Sequence, residues 1–427
     1  MLWLYRFLFI PALLVIAPRY LLRMCRRGGY WADFAHRFGG HPRLAEKIPG
    51  RRRVWLQAVS VGEMLAVGPI LEALQHDGVE VYLTTTTSTG KRLAHDRYTH
   101  LAVGIGYFPI DWWLFSARAW QRIDPHLVIL TEGERWPEHL RQAARRTVPV
   151  LCINARISDR SFARLRRWHS FARLMLDGVT RFLPASGQDH ARLADLGVPR
   201  ERLLTTGNIK LDVRIPPQST ADRIQLRREL GLPAGLIILG SSTWPGEEAA
   251  LLAAFQRVRQ GGLSCSLLLV PRHAERRTEI ERLLKTTGVP FHFRSRGAAV
   301  GEVDVAVADT TGELRRLTEL ADLVYVGKSL APHSEGQTPV EAAALAKPIL
   351  FGPGMSNFRA IANELIACGA AHQIDNPASL ENAVQELLND ASRRNSLGRA
   401  AASWHRDNAG AIERTLAIIR REIAQLG

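Results

Sequence analysis

The stretch that decides the fold of this chain is KSLAPHSEGQTPVEAAALAKPILFGPGMSNF, residues 328–358. A loop rich in Gly, Ser and Pro leads into a helix that carries Glu341, and the apolar strand Ile349–Phe351 follows Lys347 and Pro348. Loop amides and a helix N-terminus attract phosphate, and a carboxylate one turn into the helix can hold ribose hydroxyls. The stretch therefore predicts either a nucleotide site or an ordinary strand–loop–helix unit of an α/β domain.

The composition is that of a globular protein with a strong positive charge. The 427 residues are 46% hydrophobic and 23% charged, and the net charge is +15. A chain of this length is long enough for two domains, and the charge indicates an anionic partner. No helix-turn-helix, zinc-finger or aromatic RNA-binding pattern accompanies it, so we expect a membrane lipid or a phosphorylated substrate and no nucleic acid.

The four cysteines, Cys25, Cys152, Cys265 and Cys368, show neither metal-binding nor disulfide spacing. Their scatter favours a reducing compartment, and we expect all four to be small buried side chains. We predict no metal and no other cofactor.

The N-terminus, MLWLYRFLFIPALLVIAPRYLL, is apolar over about the length of a membrane span. Arg6, Pro11 and Pro18 weaken a straight spanning helix, and no signal-peptide cleavage site follows. Four arginines come after the apolar stretch or at its end: Arg19, Arg23, Arg26 and Arg27. This asymmetry places the remainder of the chain in the cytoplasm. We predict a membrane anchor over residues 1–24, either spanning the bilayer or lying in its interface.

Short apolar runs, each followed by a helical stretch, recur in two series. Strands of the first series are predicted at Val54–Val59, Val79–Thr85, Leu127–Leu130, Val148–Ile153, Arg181–Pro184 and Leu203–Thr206. Those of the second are predicted at Leu236–Leu239, Ser266–Val270, Val303–Ala306, Leu323–Val326 and Ile349–Phe351. The pattern predicts two doubly wound domains of parallel β-α units, with a cleft between them at the carboxyl ends of the strands.

The boundaries follow from a polar, proline-containing segment near Ile209–Thr220, which is the best candidate for a linker. We predict a first domain at residues 50–211, a linker at 212–222 and a second domain at 223–404. The amphipathic C-terminal segment, residues 405–427, is predicted to form a helix that packs back on the first domain.

Two acidic motifs lie at predicted strand ends of the first domain. In the motif SVGE, Gly62 permits close backbone approach, and Glu63 is a candidate general base toward a hydroxyl. The alternative is an acid that favours the helix macrodipole. In the motif TEGERWP, Glu132 and Glu134 are candidates for positioning a sugar or pairing with Arg156, and helix capping is the alternative.

Polar loops follow three strands of the second series. The segment GSST at Gly240–Thr243 offers amides and hydroxyls to phosphate, and Arg272 can neutralise a phosphate or a carboxylate. The loop Asp309–Leu314 offers further amides. Each loop is weak evidence alone, but together they place polar groups at neighbouring strand ends of one cleft.

Taken in order, these motifs resemble the 3-deoxy-D-manno-octulosonic acid (Kdo) transferase family of lipid A assembly. The matching stretches are AVSVGE (Ala58–Glu63), TEGERWP (Thr131–Pro137), NARISDRS (Asn154–Ser161), TGNIKLD (Thr206–Asp212), GSSTWPGEE (Gly240–Glu248), VPRH (Val270–His273), DTTGEL (Asp309–Leu314) and the segment Val326–Phe358. The resemblance implies a B-type glycosyltransferase fold with two facing Rossmann-like domains. It also implies an inverting transfer of Kdo from CMP-Kdo to a lipid A precursor, lipid IVA, at the cytoplasmic face of the inner membrane, without a metal.

The resemblance places Glu63 as the catalytic base. Its candidates for donor binding in the second domain are Ser242, Thr243, Arg272, His273, Gly312, Glu313, Leu314, Ser329, Gln337, Thr338 and Glu341. Its candidates for the acceptor and transition-state side are Gly62, Glu132, Glu134, Arg156, Asn208 and Lys210, the last also a candidate contact for the donor's phosphate or carboxylate.

One loop departs from the family pattern. The family usually shows Gly-Gly-His-Asn-Pro, whereas this chain has EGQTP at residues 335–339, and Lys328 stands where a glycine is usual. The carboxylate of Glu335 would repel a phosphate unless Lys328 or His333 pairs with it. Two alternatives therefore stay open: a related transferase with a different nucleotide-sugar donor, and a non-catalytic binding protein, against which Glu63, Arg272 and Glu341 argue.

Overall fold

The computed structural model describes residues 1–27, 32–213 and 215–426. The chain divides into two compact units, one formed by Met1–Asp212 with Ala409–Gly427 and the other by Val213–Asn408. Each unit is built on one parallel β-sheet with helices between its strands.

The sheet of the first unit has six strands in the order β3-β2-β1-β4-β5-β6, and every described pairing is parallel. The strands are β1 (Arg53–Gln57), β2 (Glu80–Thr85), β3 (Gly104–Tyr107), β4 (Leu127–Thr131), β5 (Val150–Ala155) and β6 (Arg181–Pro184). The helices before Asp212 are α1 (Leu2–Arg27), α2 (Val61–Ala66), α3 (Gly68–His76), α4 (Ser88–Tyr98), α5 (Trp113–Ile123), α6 (Pro137–Arg145), α7 (Asp159–Arg167), α8 (His169–Leu176) and α9 (Gly187–Asp195).

Apolar side chains cover both faces of this sheet. Successive residues of a strand point to opposite faces, so Leu56 of β1 packs in one cluster with Ile70 of α3. Trp55 packs in a second cluster with Trp120 of α5. Because both faces are buried, polar loops at the carboxyl ends of the strands are the natural place for a site.

The sheet of the second unit has seven strands in the order β13-β12-β11-β7-β8-β10-β9, also with parallel pairings. They are β7 (Leu236–Thr243), β8 (Cys265–Pro271), β9 (Phe291–Phe293), β10 (Val305–Val307), β11 (Leu323–Val326), β12 (Ile349–Phe351) and β13 (Ala371–Gln373). The helices are α10 (Thr220–Glu229), α11 (Glu247–Gln260), α12 (Arg277–Thr287), α13 (Leu314–Leu320), α14 (Val340–Ala344), α15 (Arg359–Ala367), α16 (Pro377–Asn389) and α17 (Ala391–Asn408). Phe255 and Tyr325 are among the large side chains buried in its core.

The C-terminal helix α18 (Ala411–Ala424) is part of the first unit. Its first turn is fixed where Asp212 accepts a hydrogen bond from the Ile412 amide at 2.8 Å. Gly410, with φ of 78°, separates α18 from α17. The helix therefore begins at Ala411 rather than at residue 405, because residues 405–408 still belong to α17.

Two features of the predicted pattern differ in the structure. The strand predicted at Leu203–Thr206 is absent from the described part of the chain, where Leu203 forms only an isolated bridge with Phe182. Helix α10 begins at Thr220, inside the range predicted as a linker.

The N-terminal helix α1 runs through Pro11 and Pro18. Among residues 1–27, 32–213 and 215–426, none of the helices combines the length and the apolar character needed to cross a membrane. The side chains of the four arginines predicted to orient the anchor lie outside the described part of the structure.

Helix α1 is joined to the first unit by polar contacts. Tyr5 donates a hydrogen bond to Asp111 at 2.8 Å, and Arg6 binds Glu138 through two bonds of 2.5 and 3.0 Å. Burial raises the pKa of Asp111 to about 6. Asp111 also accepts the amides of Glu138 and His139 at the start of α6, so α1 is tied to the helix that follows the motif TEGERWP.

The cysteines only partly match their prediction. Cys152 and Cys265 are buried, whereas Cys368 is exposed near the end of α15, so its predicted burial is wrong. The side chain of Cys25 lies outside the described part of the structure.

Candidate functional site

Glu63 is fixed at the carboxyl end of β1, in the first turn of α2. Glu63 is 8% exposed, and its carboxylate accepts three hydrogen bonds. One carboxylate oxygen accepts from the Ser60 hydroxyl at 2.9 Å, and the other from the Val59 amide at 3.0 Å and the Thr131 hydroxyl at 2.5 Å. Ser60 also caps the helix. These bonds hold the carboxylate in one orientation, which is what a general base requires.

Glu132 directly follows β4, which is the neighbour of β1 in the sheet. Its carboxylate pairs with the Lys210 ammonium at 2.5 Å and accepts a hydrogen bond from the side-chain amide nitrogen of Asn154 at 3.3 Å. Asn154 in turn accepts from the Ile209 amide at 3.2 Å. Glu132, Asn154 and Lys210 thus join the ends of β4 and β5 to the segment that follows β6.

Glu134 completes this acidic group. Burial raises its pKa, and the charges of Glu63 and Glu132 act in the same direction, although the bond donated by Trp136 opposes them. Thr131 binds Glu63, and Glu132 and Glu134 follow Thr131 in the same loop, so the three acids lie at neighbouring strand ends.

The remaining candidates of the first unit differ in their surroundings. Arg156 is exposed, and no carboxylate of residues 1–27, 32–213 and 215–426 pairs with it; Glu132 takes Lys210 instead. Asn208 accepts a hydrogen bond from the Lys210 amide at 3.1 Å and so shapes the loop. A Cβ built on Gly62 would approach no atom closer than 4.0 Å, so the start of α2 is open.

In the second unit, Glu247 organises the loops at the strand ends. It is 1% exposed and lies at the start of α11. One oxygen accepts the Tyr325 hydroxyl and the Ser329 and Leu330 amides at 2.7, 2.9 and 3.2 Å. The other oxygen accepts the Trp244 and Lys328 amides at 2.9 and 2.8 Å. A single carboxylate therefore holds the loop after β7 against the loop after β11.

The last residues of β7 and the loop that follows present donors that lack partners among the described residues. Ser242 adopts a left-handed backbone with φ of 53°, and Thr243 is fully buried. The Thr243 hydroxyl and the Trp244 indole nitrogen are buried without a hydrogen-bond partner in the described structure. Buried polar groups are normally satisfied, so these unpaired donors at a strand end are suited to bind a ligand oxygen.

Arg272 and His273 follow β8 beside this loop. The Arg272 amide donates to the Thr243 carbonyl at 3.1 Å, while its exposed guanidinium contacts no carboxylate of the described residues. The ring of His273 lies 5.1 Å from that of Trp244. Arg272 is therefore a free cation available to an anionic ligand.

In the loop that departs from the family pattern, the charge of Glu335 is paired with that of Lys328. The Lys328 ammonium lies 3.2 Å from Glu335, which answers the expected repulsion. Hydrogen bonds from the Ser334 amide and Lys328 lower the pKa of Glu335, so it stays ionised. His333 instead contacts the Pro245 carbonyl at 3.1 Å.

Glu341 lies in the first turn of α14 with one carboxylate oxygen buried and unpartnered. Burial raises its pKa. The Arg315 guanidinium lies 4.0 Å from the other carboxylate oxygen. Thr338 accepts the Val340 amide at 3.3 Å, and Gln337 is half-buried. A buried carboxylate oxygen without a donor suits a ligand hydroxyl.

Three donor candidates have other roles or remain open. The Ser329 hydroxyl is fully buried and bonds the Val326 carbonyl and the Gly352 amide, so it supports its own loop. Glu313 pairs with Arg294 at 3.2 Å. A Cβ on Gly312 would meet nothing within 4 Å, so the backbone from Gly312 to Leu314 stays accessible.

Nothing in the described ranges resembles a metal centre, since no three His, Cys, Asp or Glu side chains there cluster in a way that could hold an ion.

Sequence reasoning missed the residues that hold the candidates in place, namely Thr131, Asn154, Trp244 and Glu247. Glu247 looks in the sequence like any acid at a helix start. Asn154 carries one weak signal, since Asn is among the few residues that adopt a left-handed backbone, and its φ is 50°.

A family model described as "3-Deoxy-D-manno-octulosonic-acid transferase (kdotransferase)" matches residues 32–213. The 3-deoxy-D-manno-octulosonic acid transferase of Bordetella pertussis is 33% identical over 95% of this chain and 96% of its own length. That of Haemophilus influenzae is 30% identical over 96% of this chain and 94% of its own length.

The chain belongs to the Kdo transferase family. The predicted family and the predicted enzyme class, a glycosyltransferase, are thus confirmed. Among solved structures, the UDP-GlcNAc 2-epimerase of Neisseria meningitidis aligns with a TM-score of 0.57 at 13% identity, covering 87% of this chain and 100% of its own. That likeness concerns the fold alone: two parallel-sheet α/β units that resemble those of B-type glycosyltransferases.

Proposed function

We propose that this member of the Kdo transferase family transfers Kdo from CMP-Kdo to a lipid A precursor, lipid IVA, with inversion at the anomeric carbon. The observation that carries the proposal is Glu63, a carboxylate held by three hydrogen bonds at a strand end of a chain that aligns with named Kdo transferases over nearly its whole length.

Glu63 acts as the general base. It takes the proton from the acceptor's primary hydroxyl while that oxygen forms a bond to the anomeric carbon of Kdo. The bond from this carbon to the CMP phosphate breaks, and its electron pair leaves with the phosphate. Attack opposite to the leaving group inverts the configuration. Thr131 and Ser60 keep the carboxylate oriented through the step.

The second unit binds the donor. The guanidinium of Arg272 and the unpaired hydroxyl of Thr243 stabilise the phosphate as negative charge develops on it. The further donor contacts that we propose in this unit are Ser242, His273, Gln337, Thr338 and the backbone from Gly312 to Leu314. Glu341 accepts ribose hydroxyls through its unpartnered oxygen.

The first unit binds the acceptor. Glu132, Glu134, Arg156, Asn208 and Lys210 position its sugar, with Gly62 leaving room beside the base. A groove of about 470 Å³ between α1, α6 and α8 adds support, because it combines apolar and cationic walls. Its lining includes Leu2, Leu140, Arg141, Arg173 and Leu174. Such a surface suits an acylated, phosphorylated acceptor.

The enzyme attaches to the cytoplasmic face of the inner membrane through α1. Trp3 and Phe7 on this helix are 79% and 75% exposed, while Tyr5 and Arg6 fasten the helix to the first unit. A helix with one docked face and one exposed apolar face lies in a membrane interface. The net charge of +15 favours an anionic lipid surface.

The test is transfer from CMP-Kdo, generated in situ, onto a tetra-acylated lipid A precursor, followed by mass spectrometry. We expect one or more added Kdo units from the wild type, and at least a hundredfold slower transfer by Glu63→Gln. Glu72→Gln, an exposed acid on α3, is the control and keeps full activity. The anomeric configuration of the product, measured by NMR, should be opposite to that of CMP-Kdo.

Two results would contradict the proposal. Unchanged turnover in Glu63→Gln would show that the proposed base is dispensable. No transfer by the folded wild type would favour the second candidate function, transfer from a different nucleotide sugar. The loop with Lys328 and Glu335 motivates that candidate, and binding of UDP in preference to CMP would support it.

A further inference from the structure

Lys328 occupies an unusual position in the second unit. It follows β11 with φ of 59°, a backbone conformation that residues other than glycine rarely adopt. Its ammonium lies 4.2 Å from the centre of the Trp244 ring and 3.2 Å from Glu335. The side chain is only 19% exposed, so the charge is held at the strand end rather than extended into solvent.

The backbone from which this ammonium extends is held by a buried carboxylate. One oxygen of Glu247 accepts the amides of both Trp244 and Lys328, at 2.9 and 2.8 Å. The backbones of Trp244 and Lys328 are therefore anchored to the same atom, which places the lysine side chain beside the indole ring.

Glu335 is the replaceable member of the pair. Its side chain is 42% exposed, and its other contact is with the adjacent Ser334 amide. A pair that is open to water on the acid's side contributes little to stability, so a competing anion can displace the carboxylate.

The surroundings of the ammonium favour an anion. The indole nitrogen of Trp244 and the hydroxyl of Thr243 are buried, and no described residue hydrogen-bonds to either. Two imidazoles, His273 and His333, lie 5.1 and 5.5 Å from the Trp244 ring. The nearby carboxylate of Glu247 is already saturated by five donors.

We propose that Lys328 binds an anionic group of the donor in the second unit, and that Glu335 pairs with its ammonium when the donor is absent. The ligand is an anionic oxygen group of the nucleotide sugar, either the phosphate or the sugar carboxylate. This inference rests on the proposed function, since it presumes a CMP-linked acidic sugar. In this chain Lys328 is then a specificity determinant that the usual glycine cannot supply.

The experiment compares Lys328→Met, Glu335→Gln and the double variant with the wild type. Calorimetry measures the affinity for CMP and for cytidine, and kinetics measure KM for CMP-Kdo. Lys285→Met, an exposed lysine of α12 paired with Glu281, controls for the loss of one positive charge.

If the ligand group is the phosphate, Lys328→Met weakens CMP about tenfold and leaves cytidine unchanged. If it is the sugar carboxylate, CMP affinity is unchanged and KM for CMP-Kdo rises about tenfold. In the first case Glu335→Gln raises the CMP affinity two- to fivefold, and in the second it lowers KM for CMP-Kdo two- to fivefold, because the competing carboxylate is gone. In the Lys328→Met background, Glu335→Gln changes neither quantity.

Lys328→Met with unchanged CMP affinity and unchanged KM would overturn the inference, as would a Glu335→Gln effect that persists without Lys328. A wild type that neither binds CMP nor turns over CMP-Kdo would instead remove the proposed function on which the inference rests. The two failures are therefore distinguishable.

Discussion

Replacing Glu247 with Gln should uncouple the donor loops of the second unit. The native carboxylate accepts five hydrogen bonds, three on one oxygen and two on the other. Glutamine keeps the shape of the side chain but turns one acceptor into a donor. Whichever way the amide is oriented, at least two of the native donors lose their acceptor.

The magnitude follows from that count. The less costly orientation places the amide nitrogen against the backbone N–H groups of Trp244 and Lys328, which then face a donor. A buried donor left unsatisfied costs about 1–3 kcal/mol, so the two together cost about 2–6 kcal/mol. The loop around Lys328 relaxes to recover part of this, and that movement displaces the ammonium and the Trp244 ring.

The assay is CMP affinity by calorimetry alongside the thermal midpoint of unfolding. Glu248→Gln is the matched control, because Glu248 is equally buried but pairs with Arg276 through bonds of 2.6 and 3.1 Å and does not contact the loop after β11. We expect both variants to lose stability and only Glu247→Gln to lose CMP affinity, by at least tenfold. Equal loss of CMP affinity in the two variants, or none in Glu247→Gln, would refute the reasoning.

Three further predictions concern the first unit. Thr131→Val should lower kcat about tenfold or more with little change in KM, because the bond that orients Glu63 is lost, whereas Thr131→Ser should restore activity. Burial lowers the pKa of His139 from 6.5 to about 3, so the folded state excludes a proton that the unfolded state binds. The free energy of unfolding is therefore unaffected by this residue above about pH 6.5 and decreases as the pH is lowered, by about 2 kcal/mol between pH 7 and pH 5. In urea unfolding experiments, His139→Phe should lack this part of the decrease. Replacing both Trp3 and Phe7 with Ser should remove about 3 kcal/mol of the free energy gained when their apolar side chains enter the membrane interface. The affinity for anionic vesicles should therefore fall roughly a hundredfold.

Each of these predictions has a contradicting outcome. Full kcat in Thr131→Val would mean that Glu63 is oriented without the hydroxyl. An identical loss of stability with falling pH in His139→Phe would place the acid sensitivity elsewhere. For the vesicle assay, Val300→Ser is the control, since Val300 is fully exposed in the second unit. Equal vesicle binding by all three proteins would exclude an interfacial role for the exposed face of α1.

The short apolar runs of the sequence were sufficient to locate the central strands of both sheets. Each central strand is buried on both faces, so it reads as a short continuous apolar run, and these runs were located to within a few residues. The strands that were missed, β3, β9 and β13, all lie at the edges of their sheets. An edge strand has one neighbour and less burial, so GIGY, FHF and AHQ carry no comparable apolar signal.

The sequence by itself also determined the family and the identity of the charged groups at the strand ends, because motifs such as SVGE and VPRH are local in the chain. It could not determine which groups pair. Arg156 was one candidate partner for the acidic motif, whereas Glu132 pairs with Lys210, 78 residues further along the chain. Glu247 holds amides some 80 residues away. Parallel sheets bring the ends of distant strands to one edge, so the burial and hydrogen bonding that give these carboxylates their roles exist only once the chain has folded.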